Sequence, residues 1–278
     1  MVRRRGQLVV LALALVSCSE PSGGPVGEAA ATPTRPAPTS TPPDTSAVGQ
    51  ELVGRWAHYD VVAYEDGVLK TLIISYGFND FTRVGGEIVD TASFCFSEQR
   101  SDPPIETSLS DAATQAIKPP STPLSVDVVD GVVRLRRAAT PTPVGVRLAD
   151  PADDPLPTDP DDPRVVDDDG DGKPGLTVSI RVSDELSGAV YLVRREVFAY
   201  EAFLVEPDRV VGTVTDRSEQ SVLGVSDPVF AGSGQRWVQH ADLTKSPVLL
   251  RRVGADWDCA RLAAERDRLF PPTPHVDW

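Results

Sequence analysis

Residues 165 to 178 read VVDDDGDGKPGLTV, and the chemistry of this stretch lies in its alternation. Asp167, Asp169 and Asp171 can turn their carboxylates to one side, Gly172 permits a sharp turn, and Lys173 follows with a main-chain carbonyl. Oxygen donors at that spacing suit a hard divalent cation, Ca2+ above all. Without a cation the three carboxylates repel one another. The three histidines, His58, His240 and His275, show none of the HExxH or HxH spacing of a zinc site. No GxSxG elbow or phosphate-binding loop is present. The expectation is therefore a noncatalytic protein with a structural calcium ion.

The chain begins MVRRRGQLVVLALALVSCSE: three arginines, an apolar stretch from Leu8 to Val16, then small residues before a cysteine. This is the pattern of a secretory signal over 1–17, too short for the roughly 20 residues of a membrane-spanning helix. Leu15, Val16, Ser17 and Cys18 resemble the lipobox of bacterial lipoproteins. That resemblance implies a diacylglycerol on Cys18, cleavage just before it, and a membrane-anchored location outside the cytoplasm. Ser19 after the cysteine resembles lipoproteins sent to the outer membrane where a cell has two.

Removing Arg3, Arg4 and Arg5 from 27 basic residues leaves 24 against 41 acidic ones, a balance of −17. Such a chain repels phosphate backbones, which disfavours nucleic-acid partners. With Cys18 acylated, Cys95 and Cys259 remain in an oxidising compartment and are expected to form one disulfide.

Residues 18–49 form a Pro-, Thr- and Ala-rich tether with too little apolar surface to offset its ordering entropy. Residues 50–278 read as a single β-rich domain, an all-β antiparallel barrel or sandwich with one C-terminal helix and long Pro- and Asp-rich loops. Runs of β-branched and aromatic residues recur at 52–64, 68–78, 86–96, 176–182, 188–205, 209–215, 221–226 and 246–253. Asp66-Gly67 and Asn79-Asp80 are expected to punctuate the first of them. Asp130-Gly131 between alternating runs over 124–138 predicts a type I′ hairpin. Loops are expected at 97–123, with a helical turn near 110–117, and at 137–172. The last helix, over DWDCARLAAERDRLFPP, has Asp256 or Asp258 as N-cap and Pro271-Pro272 as its stop, with Cys259, Leu262, Ala263, Arg266, Leu269 and Phe270 on one stripe.

Gly54, Arg55 and Trp56 form a GxW motif on the first strand. With the antiparallel series, an arginine near the last strand (Arg251 or Arg252) and a helix held by a disulfide, it resembles the lipocalin pattern. The resemblance implies that Trp56 closes the barrel bottom beneath the arginine and that a small apolar ligand enters the barrel mouth. The chain departs from the pattern in offering ten or more candidate strands in place of eight.

The acidic turn resembles the DxDxDG loops of EF-hands, dockerins and thrombospondin type 3 repeats. Val178 stands where an EF-hand places its bidentate Glu, and a strand follows in place of a helix, so a true EF-hand is excluded. Missing ligands would come from water or from Asp159, Asp161, Asp162 or Asp184, at an affinity of about 10⁻⁴ to 10⁻³ M. Two function classes lead. One is a membrane-tethered domain binding a small ligand or envelope component; the other is a structural or protein-interaction lipoprotein without a ligand.

Overall fold

The computed structural model describes residues 51–65, 69–232 and 237–278. Cys18, the signal segment, the tether and the Asp66-Gly67 turn lie outside the described residues.

The first strand, β1 (Gly54–Glu65), shows why so many of its residues are apolar: both faces are covered. Trp56, Val62 and Tyr64 point into the barrel, while Ala57, Tyr59, Val61 and Ala63 belong to a second core outside it. The chain continues through β2 (Lys70–Val84), β3 (Glu87–Asp102), β4 (Glu106–Leu109), α1 (Asp111–Ala116), β5 (Thr122–Val129) and β6 (Val132–Val144). After a long excursion come β7 (Leu176–Arg181), β8 (Ser187–Glu206), β9 (Arg209–Asp216), β10 (Glu219–Val225), β11 (Val238–Gln239), β12 (Pro247–Val253) and α2 (Cys259–Leu269).

Antiparallel pairing runs β1–β2–β3–β5–β6–β8–β9–β12 and back to β1, a closed circuit of eight strands. Each strand of the circuit is thereby paired on both sides over part of its length. The other four strands extend it. Arg194 of β8 pairs with Val144 on one side and Gln220 on the other, and Val190 with Val178 and Val225. One edge of β8 is thus lined by β6 and then β7, the other by β9 and then β10. In the same way β11 continues β12 along β1, and β4 pairs with β7 as β5 does with β6. The surplus of strands over eight arises because insertions interrupt the lines.

Three local expectations need correction. Asn79-Asp80 is no turn: β2 runs through it to Val84, and the chain reverses at Gly85-Gly86, both at positive φ (58° and 96°). Polar residues sit mid-strand because each finds partners there; Asn79 bonds Asp90 inside the barrel, and Asp80 takes two hydrogen bonds from Arg55 at 2.8 and 2.7 Å. The stretch 97–123 is only partly loop, since β3 continues to Asp102 and β4 and α1 follow; Ser110 caps α1 by accepting from the Ala113 N–H at 3.0 Å. The loop expected at 137–172 begins later, because β6 extends to Val144 through Pro141 and Pro143. Prolines are tolerated because β5 pairs with β6 only as far as Arg137, leaving that edge of β6 without ladder partners.

The Asp130-Gly131 hairpin forms as expected, with φ of 50° and 82°. One end of the barrel is filled by Trp56, Phe81, Leu124, Leu135, Tyr200 and Leu250. Of the two candidate arginines, Arg252 stacks over Trp56, 4.3 Å from the ring centroid, and donates to the carbonyls of Val53 (2.8 Å) and Glu51. Outside the barrel, α2 starts at Asp258, which accepts from the Arg261 N–H at 2.8 Å. Its buried stripe is narrower than expected: Leu262 and Phe270 are buried, and Ala263 is exposed. Phe270 stacks on Tyr59 at 5.4 Å, and Cys259 is bonded to Cys95 of β3 with Cα atoms 5.3 Å apart.

Candidate functional site

Above the packed end the barrel is hollow. The cavity measures about 560 Å³, within the roughly 300–1,000 Å³ of small-molecule pockets. Strand alternation sets its lining: Val190, Leu192, Arg194, Glu196 and Phe198 face it from β8, and His58, Asp60, Val62 and Tyr64 from β1. Leu176, Val178 and Ile180 of β7 add an apolar wall, and Ile117 just past α1 closes it further.

The floor is polar. Asn79 donates to both oxygens of Asp90, at 2.7 and 2.9 Å, so its own carbonyl oxygen faces His58 Nδ1 at 2.7 Å. Nδ1 must therefore be the protonated nitrogen there. That leaves Nε2 facing Asp60 Oδ1 at 2.5 Å. A lone pair cannot face a carboxylate at that distance, so one proton lies between them. His58 is 2% exposed and Asp60 1%. Burial would lower the proton affinity of His58, but the hydrogen bond and charge of Asp60 raise it above its ordinary value. Burial raises Asp60 too, His58 partly opposes this, and the charge of nearby Asp216 adds to it. Beneath them, Asp90 is fully buried and takes an ion pair from Arg137 Nε at 3.1 Å and a hydrogen bond from the Tyr200 hydroxyl at 3.1 Å.

A second polar cluster lies higher. Arg194 donates to Glu196 at 2.6 Å, to the Gln220 side chain at 2.9 Å and to the Tyr64 hydroxyl at 3.3 Å. Tyr64 in turn donates to Asp216 at 2.6 Å, and Ser218 bridges Asp216 and Glu196.

The acidic turn lies on the outer side of the β7 wall. Carboxylate oxygens of Asp167, Asp169 and Asp171 all come within 4.8 Å of one another. Asp167 accepts from the N–H groups of Gly170, Asp171 and Gly172 at 2.7, 3.1 and 2.8 Å, and these bonds hold its carboxyl below the usual range. Asp169 Oδ2 accepts from the Thr177 N–H at 3.0 Å, while its Oδ1 is buried without a partner among the described residues. Asp171 accepts from the Lys173 N–H at 2.8 Å and the Thr177 hydroxyl at 2.6 Å. The Lys173 ammonium is directed elsewhere, 5.9 Å from the Tyr191 ring centroid. Asp168 turns the opposite way, to the Gly145 N–H at 2.8 Å and to Arg147. The other candidate ligands stay apart from the triad: Asp162 pairs with Arg164, Asp184 pairs with Arg181, and Asp159 accepts from the Asp161 N–H.

The disulfide and the aspartate triad were visible in sequence; the cavity floor was not. His58 read as an isolated histidine. The signal that could have found it is the i, i+2 spacing of His58 and Asp60 in an otherwise apolar strand, which puts both on one face. A cleft in which two groups of shifted proton affinity converge is what acid–base chemistry would need. Among the described residues, no serine, threonine or cysteine is bonded to His58, so the pair does not activate a nucleophile in the manner of a catalytic triad. An antiparallel β-barrel with a polar-floored cavity is the class of molecule that fold and site define. Compared with protein-family models, curated proteins and solved structures, the chain gives no match.

Proposed function

We propose that this barrel is the ligand-binding domain of a lipid-anchored cell-envelope protein, noncatalytic, holding a small and largely apolar molecule in its cavity. The observation that carries this reading is the cavity of about 560 Å³, walled by aliphatic side chains of β7 and β8. A solid interior would have favoured a purely structural role. The stacking of Arg252 on Trp56 and the helix outside the barrel support the lipocalin resemblance at the level of architecture. Cys18 carries the anchor. Calcium at Asp167, Asp169 and Asp171 acts as a staple: Thr177, bonded to two of these aspartates, lies between the wall residues Leu176 and Val178.

The test is a titration with Nile red, a neutral apolar dye. Saturable, equimolar binding with blue-shifted emission is expected, and Leu192→Trp, which narrows the cavity with a bulkier wall side chain, should weaken it. No saturable signal, or a signal indifferent to Leu192→Trp, would contradict the reading. Incorporation of labelled palmitate that disappears in Cys18→Ser checks the anchor.

A further inference from the structure

The charges around the cavity do not balance. Counted by partner, Asp90 has Arg137 at 3.1 Å, Glu196 has Arg194 at 2.6 Å, and Asp60 has His58 at 2.5 Å. Asp216 is buried and lines the cavity, yet among the described residues it makes no ion pair. Its hydrogen bonds come from the neutral Tyr64 hydroxyl and from Ser218. Asp60 is equally incomplete, because Oδ1 is engaged with His58 while no described residue donates to Oδ2. Buried carboxylates without a cation are costly, and a cavity wall that leaves one open is adapted to receive it from a ligand.

We propose that the ligand is a cationic amphiphile, a single-chain or ring-bearing primary amine whose ammonium group sits between Asp60 Oδ2 and Asp216 and whose apolar body lies along Val178, Ile180, Val190 and Leu192. This rests on the ligand-binding reading above and sharpens it. An ammonium has three donors, enough for both carboxylates at once. An anionic head would meet Asp60, Glu196 and Asp216, while the arginines that could have welcomed it are already paired with Asp90 and Glu196. A neutral head would leave Asp216 only the charge of Arg194, which is already paired with Glu196 and reaches Asp216 across the Tyr64 hydroxyl. The apolar walls strengthen the preference, since charge interactions are screened less beside apolar surface than in bulk water.

Three probes of matched body, octylamine, octanol and octanoate, separate the possibilities by isothermal titration against the full chain near neutral pH. Octylamine is expected to bind at least about tenfold more tightly than octanol, with octanoate weakest. Asp60→Asn and Asp216→Asn should each bring octylamine to within about threefold of octanol measured on the same variant, with a single cooperative urea unfolding transition of each variant as the control for an intact barrel. Octanol or octanoate binding as tightly as octylamine, or an amine preference that survives both substitutions, would overturn this inference and leave the cavity reading standing. Binding of none of the three would overturn the cavity reading itself, and the inference with it.

Discussion

The proton between His58 and Asp60 has a measurable consequence for stability. Asp60→Asn is the perturbation, because the introduced amide is nearly isosteric and can donate to His58 Nε2 while Nδ1 still donates to Asn79. In the native protein the pair holds one proton at neutral pH, with the affinity of His58 raised above its ordinary value of 6.5. Between about pH 4.5 and 6 the unfolded chain also holds one proton on His58, so the shared proton contributes no slope. Above about pH 6.5 the unfolded histidine loses its proton and the native pair keeps it. The native state then binds more protons, and stability falls by up to about 1.4 kcal/mol per pH unit until the raised native value is passed. In the variant the carboxylate is gone and burial favours neutral His58, so the slope reverses: stability is lost as pH falls below about 6.5. The difference in unfolding free energy, wild type minus variant, should therefore shrink steadily from about pH 5 to above 7, by roughly 1.4 kcal/mol per unit. Titrations of groups remote from the pair cancel in that difference. Urea unfolding at a series of pH values measures it, and a difference that does not change with pH would refute the shared proton.

Thermal melts in millimolar calcium and in chelator should differ by a few degrees, and Asp169→Ala with Asp171→Ala should remove the difference; coincident melts of the parent chain would rule calcium out. Cys259→Ser opens a bridge between residues 164 apart and should lower stability by up to about 5 kcal/mol in a chain-entropy treatment, so unchanged urea midpoints would show that packing of Phe270 and Leu262 alone secures α2. Trp56→Ala should cost about 3–5 kcal/mol by emptying the closed end of the barrel, whereas Arg252→Ala, which removes the stacked cation and its bonds to two carbonyls, should cost about 1–3 kcal/mol; equal effects would mean that the ring and the guanidinium form one inseparable unit.

The strands were legible wherever one rule governed the chain. Alternating or β-branched runs gave β1, β8 and β12, and Asp130-Gly131 gave its hairpin, since positive φ at two adjacent residues favours few residue types. Asp258, one of the two candidate caps, marked the start of the last helix for an equally local reason: a short side chain satisfies an orphan N–H. Asn79-Asp80 misled because turn chemistry and buried polar chemistry use the same residue types. Only the partners, Asp90 and Arg55, tell the two apart, and both are remote in sequence. The prolines of β6 misled likewise, since whether a proline breaks a strand depends on which neighbours that edge has.

What the sequence determined by itself is therefore the local part: β-strands, caps, a hairpin, two cysteines able to pair, and three aspartates whose i, i+2 spacing brings them together in one turn. The tertiary structure alone decided that twelve strands fill a closed circuit and its extensions, that Arg252 stacks over Trp56, and that His58, Asp60, Asn79, Asp90 and Arg137 meet at the floor of a cavity. The physical reason is register. A shift of one residue in any pairing turns a strand's inward side chains outward, so the polar floor exists only when β1, β2, β3 and β6 are aligned together. No short window of the chain carries that information.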